Sequence, residues 1–191
     1  MVTDCQFCDF GPQIEEYVVN LYHMEIRNKV KERKIVQMDL ADYKPSCAIV
    51  PIDLSEQLWK GLGLKEKDIR TWSKETDWSS FKGKGAYIYC STDAIVPTWA
   101  FMLVSSQLTE ICEAVVVGTE KQLRRVLILN NIHKLDLKEL KDQRVIIKGC
   151  SDISEPEFAM SELVCFLQPV VKSIMYGEPC STVPIFKRKK T

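Results

Sequence analysis

The chain has 191 residues, 46% hydrophobic and 27% charged, the balance of a globular protein rather than a disordered or collagen-like one. Lysine plus arginine and aspartate plus glutamate number 26 each, so no net field favours nucleic acid or an anionic membrane as partner. No apolar run reaches the roughly 20 residues of a membrane span, and no signal peptide is visible.

The expected compartment is therefore the cytoplasm. There, eight cysteines serve as metal ligands, reactive thiols or small core residues more readily than as disulfides. Residues 1–23 differ in character from the remainder of the chain, and Met24-Glu25-Ile26-Arg27 reads as a conventional start. The expectation is a non-native or disordered leader over 1–23 and a single α/β domain over 24–191. The pair Cys5 and Cys8, inside that leader, supplies only two of the four ligands a structural zinc needs.

Residues 25–33 suit a short helix, and Ile35 to Met38 a strand, with a turn from Asp39 to Pro45. Ala48 to Ile52 reads as a second strand. Asp53 or Ser55 can cap a helix carrying Leu58, Trp59 and Leu62, which Gly61 and Gly63 end. Residues 65–76 predict a helix with Ile69 and Trp72 inward, followed by a loop from Trp78 to Gly85. Ala86 to Tyr89 is a strand, Pro97 to Cys112 a helix and Ala114 to Val117 a strand closed by Gly118. Thr119 caps a helix running to His133, and Arg144 to Lys148 is a strand. Pro156 to Tyr176 reads as a long helix kinked at Pro169 and stopped by Gly177. This alternation predicts an α/β fold: a mostly parallel sheet with helices on both faces and a small N-terminal α+β addition, antiparallel or packed on one edge.

Two segments resemble one another. Tyr87-Ile88-Tyr89-Cys90-Ser91-Thr92-Asp93 leads to Pro97, and Ile146-Ile147-Lys148-Gly149-Cys150-Ser151-Asp152 leads to Pro156. Each is a strand, then Cys-Ser, an Asp and a Pro opening a helix, with one residue of loop between them in length. Ligands in parallel α/β sheets bind beyond the carboxyl ends of the strands, where Cys90 and Cys150 stand. Helix N-termini there favour thiolates. A third Cys-Ser occurs at Cys180, after the last helix, so its convergence on the other two is a hypothesis. Three thiolates together need a cation, which points to iron, zinc or an iron–sulfur cluster at Cys90, Cys150 and Cys180. Asp93, Asp152 or Glu178 offers an oxygen ligand. Cys112 and Cys165 read as core, Cys47 is unassigned, and His133 suits a helix C-terminus. Two histidines leave little room for a Ser-His-Asp or Cys-His pair, and no phosphate-binding glycine loop occurs. Trp72, Trp78, Phe81 and Trp99 suit a core or interface better than a base-stacking platform, and Lys187 to Lys190 a solvated basic tail.

The run Cys90 to Ala100, the strand Val145 to Ser151 and above all Gln168 to Pro184 resemble the bacterial family filed as domain of unknown function 2480, over about residues 25–190. The family motifs fall on Cys90, Asp93, Cys150, Glu178 and Cys180. The resemblance implies an association with iron–sulfur assembly proteins, and it carries no established activity. Three functions stay open: a metal- or cluster-binding accessory protein, a thiol enzyme handling persulfide or disulfide, and a non-catalytic interaction protein.

Overall fold

The structure is a computed structural model that describes residues 35–149 and 152–189. The leader with Cys5, Cys8 and His23, the helix expected over 25–33, and Cys150 lie outside the described residues. The strands are β1 (Ile35–Asp39), β2 (Ile49–Asp53), β3 (Gly85–Tyr89), β4 (Ala114–Val117), β5 (Arg144–Lys148), β6 (Ser173–Glu178) and β7 (Ser181–Lys187). The helices are α1 (Glu66–Glu75), α2 (Thr98–Leu108), α3 (Glu120–His133), α4 (Leu137–Leu140) and α5 (Pro156–Leu167).

The α/β expectation is borne out, with the parallel strands divided between two sheets rather than gathered in one. Four strands run in the order β1-β5-β6-β7, and three in the order β2-β3-β4. Every pairing is parallel except β6 with β7. The two N-terminal strands form no antiparallel piece: β1 and β2 are parallel edge strands of different sheets. Each ends in an aspartate whose carboxylate caps a short 3-10 helix, Asp39 through the Ala41 N–H and Asp53 through the Ser55 N–H. The Asp53 cap therefore serves Leu54–Gln57, and the helix expected around Leu58 to Leu62 is instead a tight turn in which the Trp59 N–H meets the Gly63 carbonyl.

The two sheets repeat one design. Ile35-Val36 to Asp39-Leu40 and Ile49-Val50 to Asp53-Leu54 are the same phrase, and Leu40 and Leu54 are both fully buried. Asp39 stands opposite Lys148 as Asp53 stands opposite Tyr89. Gly85 stands opposite Ala114 as Arg144 stands opposite Ser173. The connecting helices bury Ala100, Val104 and Leu108 in one unit, and Ala159, Leu163 and Leu167 in the other. Both third strands reach a glycine with positive φ, Gly118 and Gly177. From the second strand to the third the two units run without insertion, Gly85 to Ala114 and Arg144 to Ser173, and the one-residue difference places Gly149 where Cys90 stands, with Cys150 next in sequence.

Helix α3 joins the sheets. Its start is a capping box between Thr119 and Gln122. Leu123 and Leu127 press on Gly85 of β3, while Ile128 and Ile132 sit in the core of the four-stranded sheet with Val145, Ile147 and Ile174. On the other face of β3, Ile52, Ala86 and Ile88 meet α1 through Ile69 and α2 through Val104 and Leu108.

The expected long helix ends at Leu167. From Ser173 the chain is a strand, then a hairpin whose two turn residues are Pro179 and Cys180. Pro169 and the β-branched Val170, Val171 and Ile174 explain the difference, because they disfavour a helix and suit a buried strand. Replacing Leu123 or Ile128 by alanine is expected to cost roughly 2–5 kcal/mol each. Urea unfolding monitored by circular dichroism checks this. Both variants should still unfold in a single transition, because α3 belongs to both cores.

Candidate functional site: the carboxyl edges of the two sheets

The carboxyl edge of the three-stranded sheet holds Cys90. Here Asp53 Oδ1 accepts the Ser91 N–H at 3.0 Å as well as the Ser55 N–H at 2.9 Å. The Ser91 hydroxyl donates to Ser55 Oγ at 3.0 Å. Desolvation tends to raise the Asp53 carboxyl, but hydrogen bonds from the Ser91 side chain and from the Ser55 and Ser91 backbone outweigh it and hold it at about 2. These bonds tie the end of β2 to the loop after β3. The Cys90 thiol is held locally, with Sγ 3.5 Å from the Thr92 carbonyl and 3.4 Å from Thr92 Oγ1. Asp93 is exposed in the same loop, and Ile95, bridged to Gly63, is 85% exposed.

The carboxyl edge of the four-stranded sheet holds Glu178 and Cys180. Because β6 runs parallel to β5, the β6–β7 turn emerges on the side where β5 ends. Lys148, the last residue of β5, pairs with Glu178 at 3.0 Å. The Tyr176 ring lies over Gly149 so closely that a side chain there would strike its hydroxyl and ring edge. A side chain at this position, where Cys90 stands in the other unit, would displace the Tyr176 ring. The Cys180 thiol is exposed on the turn. Asp152 lies past the end of β5 and pairs with Lys44 at 2.8 Å. Glu155, in the left-handed conformation ahead of α5, accepts Arg125 and Lys121 of α3, whose hydrogen bonds hold its carboxyl below the usual range.

Of the residues expected at a metal, the structure therefore gathers Glu178 and Cys180 on one sheet edge, and Cys90 and Asp93 on the other. Among the described residues no group of three or more His, Cys, Asp and Glu side chains is placed to hold a metal ion. The described donors alone do not complete a closed tetrahedral site. Lys148 and Tyr176 shape the Cys180 edge and were not singled out from sequence. The repeat of Ile-Val-x-x-Asp-Leu was the available signal for Asp39 and Asp53. Cys165, expected in the core, is exposed and lines an apolar cavity of about 310 Å³ beside Tyr176. Cys112 is half-buried, donates to the Phe81 carbonyl at 3.6 Å, and has its thiol pushed up by burial and by Cys47. His133 is exposed at the end of α3, against Phe166.

The Asp53 hydrogen bonds carry a pH signature. A carboxyl whose folded value lies below its ordinary value of 3.8 stabilises the fold fully above pH 4, and the contribution is lost as pH falls through about 2. Asp53→Asn is expected to cost about 1 kcal/mol at neutral pH, given its partial exposure. The difference from wild type should shrink between pH 4 and pH 2 in parallel denaturation curves.

No helix among the described residues is long and apolar enough to cross a membrane. No curated protein and no solved structure matches the chain. One family model, described as a protein of unknown function (DUF2480), matches residues 24–188. That span takes in both sheets, both Cys-Ser segments and the β6–β7 turn, and the chain belongs to this family.

Proposed function

We propose that the carboxyl edge of the four-stranded sheet is a thiol site that takes up a thiophilic metal ion or an iron–sulfur cluster and passes it on, as an accessory to iron–sulfur assembly in the cytoplasm. Cys180 and Cys150 are its sulfur ligands, and Glu178 its oxygen ligand. One observation carries this reading: the β6–β7 hairpin brings Cys180 to the edge where β5 ends at Lys148, two residues before Cys150 in sequence. The Lys148 ammonium, paired with Glu178, supplies a positive charge on that edge. Its pairing with Glu178 is half-exposed, so Glu178 can exchange that partner for a cation at small cost. Two thiolates and a carboxylate leave a coordination position open, which suits cargo that must leave again. Cys90 and Asp93 belong to the other sheet edge and supply no ligand in this reading.

The exposure of Cys180 on a two-residue turn favours a second reading, persulfide transfer. The Cys180 thiolate would attack the outer sulfur of a donor persulfide, the donor leaving as its thiolate and Cys180 retaining the sulfur as a persulfide.

Anaerobic reconstitution of the full chain with iron and sulfide, read by visible spectrum and metal per chain, separates these readings. Wild type and Cys90→Ser are expected to take up metal, and Cys150→Ser and Cys180→Ser to lose most of it. A wild-type chain that stays empty with iron, with zinc and with a preformed cluster overturns the metal reading. A persulfide adduct on Cys180, formed when that same empty chain is treated with a small-molecule persulfide that leaves as its thiolate, would establish the second.

A further inference from the structure

A second site lies on the three-stranded sheet, apart from the edge that carries Cys180. A cavity of about 320 Å³ opens along the free edge of β2, within the size range of small-molecule pockets. Four aromatic side chains line it: Trp72, Trp78, Phe81 and Tyr89. Trp72 meets Trp78 edge to face at 5.3 Å, and Trp78 meets Phe81 at 5.6 Å, so three of the rings form one packed wall. Two carboxylates, Asp53 and Glu56, share the lining, and no lysine or arginine does. Burial raises the Tyr89 phenol, and the negative charges of Asp53 and Glu56 raise it further, so both carboxylates act on the space this ring faces. Glu56 makes no ion pair among the described residues. Pro51, on the same edge, has no N–H to offer a peptide strand. Aromatic faces attract cations, most of all alkylated ones that need no hydrogen-bond acceptors, and nearby carboxylates add the balancing charge.

We propose that this cavity binds an alkylated ammonium ion, held by the Trp72 and Tyr89 rings and balanced by Asp53 and Glu56. Isothermal titration of the full chain with choline, and with its uncharged carbon isostere 3,3-dimethylbutan-1-ol, tests the assignment. Choline is expected to bind saturably, and the isostere at least about tenfold more weakly. Glu56→Gln, at an exposed position, should leave the unfolding temperature unchanged and weaken choline about fivefold or more. Trp72→Phe keeps a ring and should weaken choline less than Trp72→Leu does. No saturable heat with choline at millimolar concentrations, equal binding of the isostere, or a Glu56→Gln variant indistinguishable from wild type would each overturn it.

Discussion

Helix α3 carries two apolar stripes, and both sheets depend on it. Leu123 and Leu127 are each five residues from Ile128 and Ile132, a rotation of about 140° about the helix axis. One pair rests on β3, and the other enters the core of the four-stranded sheet. A helix buried on two sides needs apolar residues on two sides, so its pattern departs from the single stripe of a surface helix. Polar residues of the helix are used as well. Lys121 and Arg125 reach Glu155 at the start of α5, and Asn131 donates to the carbonyls of Tyr43 and Lys44 beyond β1. The same helix thus fixes the carboxyl-edge loops of the four-stranded sheet while holding the three-stranded one.

The two units share a design and part company after the third strand. Beyond Gly118, Thr119 and Gln122 close a capping box and the chain becomes α3. Beyond Gly177, Ser181-Thr182-Val183-Pro184-Ile185 is rich in β-branched residues and carries a proline that a helix interior excludes. It folds back instead as β7, the one antiparallel strand among the described residues. A single difference in local chemistry turns one unit into the bridge of the molecule and the other into a bearer of an exposed turn.

The strands and helices were largely legible, because β4 is a continuous apolar run and α3 has an explicit cap. The features that escaped sequence reading have identifiable physical causes. Val170, Val171 and Ile174 come after α5 at spacings that fit a helix as well as a strand, and Pro169 reads equally as a kink or as an end. The division into two sheets was not legible, since parallel strands separated by helices look alike whether they join one sheet or two. Strand ends placed Cys90 just beyond β3, as observed. The partition of the cysteines between two edges depended on strand order, which periodicity does not encode. Cys165 misled because its neighbours Val164 and Phe166 are apolar, although its own side of α5 faces outward.

The two edges also differ in how firmly they are closed. At the end of β3, Asp53 gathers two backbone N–H groups, the Ser55 and Ser91 hydroxyls meet, and the Cys90 thiol is occupied by Thr92. Such a network rigidifies a loop and leaves its sulfur little freedom to change partners. At the end of β5 the corresponding position is Gly149, pressed under Tyr176, and the polar contact between strands is a half-exposed ion pair of Lys148 with Glu178. An ion pair of that kind breaks and re-forms easily. Of the two edges built on this common plan, the one that carries Cys180 holds its carboxylate by a replaceable partner, whereas at the other both the carboxylate and the thiol are committed to local hydrogen bonds.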